Sequence, residues 1–337
     1  MKAKTNIKRT SISMLLIVTL IITMAVPAFA ESYQRNCITD EYMEACAYTE
    51  LPVDLILLLE EFNQRLMLFE PIMPRNEVII PEEGLQFLEQ KEAEALLKAI
   101  EAEVDFMLDQ FDTFFETLIM EMAPAFFEAG VYITPLNDSI ETEIRRIATV
   151  LNTLDNISAA SRLRITTAAA NAQTSAFVRY RNDPNRQSAY RHFSWALKVT
   201  VYLGSETARI STNNHELARA VFTYEGNRFN LSNAQISNRR TLILNDAATS
   251  STRFADHFLL NGHIKDFWNN RAGRYRGVDI PMTTLLNYHL TPHQMFVTAV
   301  NRTGSTDVRR AILTFQPPAT QRNAMYLSNW WNNNRIY

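Results

Sequence analysis

Residues 183–222 leave the backbone few options. Asp183 is a strong helix N-cap, and Pro184 suits the first helical position, where a missing N–H costs nothing. No further glycine or proline occurs before Gly204, which suits the residue just past a helix end. Ser205 then offers a second N-cap, opening a segment that runs to about Phe222. Two helices joined across one glycine fold back as an antiparallel hairpin. His192 lies 12 residues before Gly204 and His215 lies 11 after it. At about 1.5 Å per residue each stands roughly 17 Å from the turn, so the imidazoles are level, with Glu216 adjoining. The spacing leaves rotational phase open. The pattern predicts a mainly α protein, with a multi-helix domain built around this hairpin.

A third segment, residues 253–277, adds the remaining chemistry. If it is helical, Asp266 shares a face with His263, Asn269 and Asn270, and Gly273 reads as a C-cap. Carboxylates and carboxamides packed against a histidine-bearing hairpin make a polar core that must be fully hydrogen-bonded or do chemistry. The candidate catalytic residues are His192, His215, Glu216 and Asp266. The same four are candidate metal ligands, because neutral imidazoles with carboxylates suit zinc or a similar divalent ion. Alternatively, one histidine is a general base oriented by a carboxylate. Arg191 and Arg274 suit bidentate capture of a phosphate or carboxylate substrate, and Asn269 and Asn270 suit positioning of substrate or water. The plainer reading of these residues is buried histidines, salt bridges and a helix end bonding its own backbone, with Trp195 and Trp268 in the core.

Several motif classes are excluded. His215-Glu-Leu-Ala-Arg219 begins like the zinc-protease H-E-x-x-H, but Arg219 replaces the second histidine. There is no G-x-S-x-G, no phosphate-cradling glycine-rich loop and no pair of C-x-x-C elements.

The pattern Ala189-Tyr190-Arg191-His192-x-x-Trp195, then His215-Glu216, then Asp266-x-x-Asn269-Asn270-x-x-Gly273-Arg274 resembles a bacterial family catalogued only as a domain of unknown function. Its members carry D-A-[FY]-R-H-x-x-W, an H-E element and M-D-x-x-N-N-x-x-G-R. The resemblance covers about residues 180–277, and it implies a shared site without naming a reaction. Ser188 stands where that family has Asp, and Lys265 stands where it has Met.

Charge divides the chain. Residues 31–130 hold 23 acidic and 5 basic side chains, whereas residues 131–337 hold 13 acidic and 24 basic, with all six histidines. The acidic part shows apolar residues spaced three and four apart from Leu85 to Ile119, interrupted by Pro124 and ended by Gly130, which predicts solvated helices. Helices are also expected over 140–164 and 166–180. The two signs predict an acidic helical region (31–130) docked on the chain's own basic domain (131–337). The arginines are dispersed, which argues against nucleic acid as a partner.

Residues 1–30 read as a secretory signal: Lys2, Lys4, Lys8 and Arg9, an apolar run from Met14 to Val26, then Ala28-Phe29-Ala30 for cleavage. The expected product is secreted or extracytoplasmic (bacterial cell envelope), with no transmembrane segment after cleavage and a Cys37–Cys46 bridge. Three function classes fit. The first is an exported hydrolase, metal-assisted, acting on an envelope or extracellular small-molecule, phosphoester or lipid-type substrate, in the style of zinc-dependent phospholipases C. The second is a non-enzymatic envelope or interaction protein whose polar cluster is structural. The third is a secreted toxin nuclease.

Overall fold

The computed structural model describes residues 53–67, 89–129, 139–248, 263–281, 290–303 and 307–314. The expected signal, the Cys37–Cys46 bridge, residues 253–262 and the C-terminal Trp-rich stretch lie outside them. Among the described residues the protein is mainly α, with no strand. The helices are α1 (Val53–Met67), α2 (Gln90–Glu128), α3 (Ser139–Leu154), α4 (Ala159–Arg179), α5 (Pro184–Leu203), α6 (Ser205–Tyr224), α7 (Asn233–Ala248), α8 (His263–Gly277) and α9 (Leu290–Val300). All belong to one compact unit, residues 51–337. No described helix is long and apolar enough to cross a membrane.

Local chemistry sets most of the boundaries. Asp183 accepts from the Arg186 N–H, with Pro184 at the first helical position, so α5 starts where the cap predicts. Gly204 has φ 85°, outside the helical region, and it ends α5 and caps α6 together. Ser205 is therefore the first helical residue of α6 and not its cap. The break expected at residue 165 falls instead at 155–158, where Asn156 adopts φ 59° and the Ser158 hydroxyl caps α4 at Ser161 N–H. Pro124 does not stop α2, which runs on to Glu128. Pro124 has no N–H to offer the Met120 carbonyl, but this face is open to water, since Met120 is exposed.

Gly273 is likewise no C-cap, because α8 continues to Gly277. Both glycines face α5. A Cβ on Gly273 would overlap the Phe193 carbonyl, and one on Gly277 would lie 2.8 Å from the Leu197 carbonyl oxygen. Only a residue without a side chain lets α8 lie this close along α5.

The core explains the rest. The apolar stripe of α2 (Val104, Met107, Phe111, Phe115, Leu118) packs with α1, α3, α6 and α7. Phe62 of α1 meets Phe115 and Phe126 edge-on, with centroids 6.1 and 6.0 Å apart. Acidic α2 also reaches the basic segment through ion pairs: Asp112 with Arg145 at 2.9 Å, and Glu103 with Arg162, both fully buried. A second core unites α5, α8 and α9 around Tyr190, Phe193 and Phe296. The polar cluster sits between these cores, where α5, α6 and α8 converge.

Candidate functional site

His192, Glu216 and Asp266 come together in the interior. Each offers a ligand atom within 4.8 Å of the others. The hairpin supplies the first two and α8 the third, so the phases that the spacing left open turn His192 and Glu216 toward a common centre. His192 Nδ1 is 3.4 Å from Glu216 Oε1, and Nε2 is 3.4 Å from Asp266 Oδ2. All three residues are buried, Glu216 at 0% exposure.

The tautomer of His192 follows from Arg191. The Arg191 Nη2 lies 3.2 Å from His192 Nε2, and a guanidinium can only donate, so Nε2 presents its lone pair and Nδ1 carries the proton. That lone pair also faces the Asp266 carboxylate. Nδ1 approaches Glu216 without hydrogen-bond geometry and has no hydrogen-bond partner among the described residues. Burial, then Arg191, Arg219 and His215, hold the His192 pKa well below its ordinary value, so the ring is neutral. Burial and the neighbouring Glu216 push Asp266 up to about 6, which leaves it mostly ionised at neutral pH. His192 Nε2 thus lies between the Arg191 guanidinium and the Asp266 carboxylate.

His215 stands apart from this trio. Its ring centroid is 6.1 Å from that of His192, and it meets Trp195 edge-on at 5.1 Å. Its Nε2 accepts from Arg219 Nε at 3.4 Å and lies 3.7 Å from Glu141 Oε1. Burial and Arg219 bring its pKa down to about 4. Glu141, which sequence reasoning missed, closes this second group. Burial would raise its pKa, but Arg219, His215 and Arg191 overcome that and hold it at about 2. No local motif marks Glu141; only its place on the polar edge of α3 distinguishes it.

The predicted substrate-binding residues separate in the same way. Arg191 lines a pocket and donates to Gln173 Oε1 at 2.9 Å. Asn270 donates to Glu216 Oε1 at 3.4 Å, so it positions a carboxylate of the trio. Asn269 does something different: its amide donates to the Ile312 carbonyl and accepts from the Ile312 N–H, both at 2.9 Å, fastening the segment after α9. Arg274 is buried and donates to Thr212 Oγ1 at 2.7 Å, bracing α8 against α6 away from the pocket. Ser188 Oγ donates to Asp266 Oδ1 at 3.4 Å. Trp195 is buried, as expected, and Trp268 bonds the Arg310 carbonyl at 2.8 Å.

An open pocket lies between α3, α4, α5 and α6. His192, His215, Arg191 and Glu141 all contribute to its wall, whereas Glu216 and Asp266 lie behind His192. The arrangement provides a pocket with two neutral imidazoles, two guanidiniums and a carboxylate, backed by two further carboxylates. Comparison of the chain with protein-family models, with curated proteins and with solved structures found no match.

Proposed function

We propose that this protein is an extracytoplasmic hydrolase acting on an anionic ester, with His192, Glu216 and Asp266 holding a divalent cation behind the pocket wall at His192. The observation that carries the reading is the convergence of three buried side chains, His192, Glu216 and Asp266, whose potential ligand atoms lie within 4.8 Å of one another. One imidazole and two carboxylates suit zinc or manganese, and three protein ligands leave coordination positions open. A bound cation would polarise the ester and lower the pKa of water. Arg191, at the pocket wall, would hold the anionic group. Neutral His215, on the same wall, can accept a proton, and Glu141 and Arg219 fix its ring. Residues 2–30 support export.

Arg191 itself favours a second reading. Its guanidinium already brings positive charge to His192 Nε2, and Ser188 and Asn270 already bond the two carboxylates. In that reading the trio is structural and fixes the packing of α8 on the hairpin. Metal analysis of the purified protein separates the two. The hydrolase reading expects about one equivalent of zinc or manganese, lost in Asp266→Asn and His192→Ala, with hydrolysis of aryl phosphate diesters lost in step. Metal-free protein that retains its fold and cleaves no ester, with variants that change only stability, sinks it.

A further inference from the structure

The walls of the pocket are graded along its length. α3 and α4 are joined by the four-residue turn 155–158, and α5 and α6 across Gly204. Side-chain contacts tie the start of α3 and the later part of α4 to the middle of the hairpin: Glu141 pairs with Arg219 and lies 3.7 Å from His215, and Gln173 accepts from Arg191. At that level stand Glu141, Arg145, Gln173, Arg191 and His215, all of them partly exposed. Two turns further in, toward residues 155–158, the wall is Ala148, Thr149, Ile165, Thr166, Trp195 and Ser211, all of them buried. Charge sits at the open end, where buried His192 also reaches the wall beside Arg191, and none of the inner side chains just named is ionisable.

The inner hydroxyls and the indole N–H are already engaged as donors. The Thr149 hydroxyl donates to the Arg145 carbonyl at 2.8 Å, Thr166 to Arg162 at 3.0 Å and Ser211 to Ala208 at 3.3 Å. The Trp195 indole N–H donates to the Ile165 carbonyl at 3.2 Å. Asn152 Oδ1 accepts from Asn214 at 3.0 Å. What these side chains turn to the cavity is methyl, methylene and ring surface. A polar group entering here would lose water and find its donors taken.

We infer that the pocket takes an amphiphile: an anionic head at Arg191 and His215, and a short alkyl or acyl chain running inward between α3 and α4 past Ala169 and Trp195. The inference rests on the hydrolase reading for its anionic head and names the substrate class of that site. From residue 145 to residue 152 is roughly 10 Å of helix, which limits the chain to a few carbons.

The test is calorimetric binding of n-alkyl phosphonates, which cannot be hydrolysed, from methyl to octyl, to the wild-type protein and to Ala169→Leu. We expect affinity to rise about fourfold per added methylene and to level off once the chain fills the inner end. Ala169→Leu should flatten the rise while methyl phosphonate binds as before. Affinity independent of chain length, a rise undiminished in Ala169→Leu, or no binding by any member overturns the inference; should the variant fail to fold, the wild-type series still decides. A metal-free protein with the full chain-length rise removes the hydrolase reading and leaves the amphiphile pocket. A metal-loaded protein with a flat series does the reverse.

Discussion

Lys198 offers the sharpest check on the physics of this interior. Its side chain is 2% exposed, on the face of α5 that meets α4, and its amine donates to Asn171. No carboxylate pairs with it among the described residues. Burial, and then Arg179, bring its pKa from 10.5 down to about 7. Because the charged form is the disfavoured one, the unfolded chain binds a proton between about pH 7 and 10.5 that the folded chain does not, so this group makes stability rise with pH across that window. Below about pH 7 both states are protonated and the full penalty applies, about 5 kcal/mol on the basis of that difference. Lys198→Met keeps the length and volume of the side chain and removes the amine. Urea unfolding followed by circular dichroism should show the variant more stable than wild type by several kcal/mol at pH 6, with the gap closing toward pH 10.5. A variant less stable at pH 6, or a gap that does not narrow as pH rises, would refute the reasoning.

Other perturbations test other joints. Glu103→Gln removes the opposite charge from buried Arg162 and should cost about 3–5 kcal/mol in urea unfolding; a loss below about 1 kcal/mol means the pair is better hydrated than it looks. Gly273→Ala should destabilise by about 1–3 kcal/mol, whereas Gly226→Ala, with open space around it, should show only backbone strain; equal thermal shifts would count against close α5–α8 packing. His293 is buried with its pKa lowered from 6.5 to about 3 by burial and Arg179, so it contributes stability that is present above pH 6.5 and drains away as pH falls toward 3. His293→Phe should shed less stability over that acid range than wild type, and parallel pH profiles would remove His293 as a cause.

Much of the hairpin was legible because its determinants are local. Caps, a proline and a single glycine fix two helices, and counting residues places His192 beside His215. The meeting of Glu216 with Asp266 was less so, because helical phase depends on how α8 lies against α5. That packing is tertiary. It turns on Gly273 and Gly277, and in isolation a helix-interior glycine looks like a helix end. Asn269 and Asn270 are adjacent and identical in type, yet one fastens Ile312 and the other bonds Glu216; a rotation of 100° per residue separates them, and the sequence does not state which face meets which neighbour. Glu141 was missed for the opposite reason. It lies 51 residues before His192 in the chain and carries no motif.

The seam between α5 and α8 has one more consequence. Asp266 rides on the same rigid rod as Gly273, two turns away, and backbone rather than side chain sets how near that rod sits to His192. A spacer of zero thickness cannot be made thinner and tolerates no thickening. Any methyl added at 273 or 277 tilts the rod outward and shifts Asp266 without touching it. The tolerance of the buried trio is thus machined at two positions that never meet a ligand, and damage there would register as a defect in the trio itself.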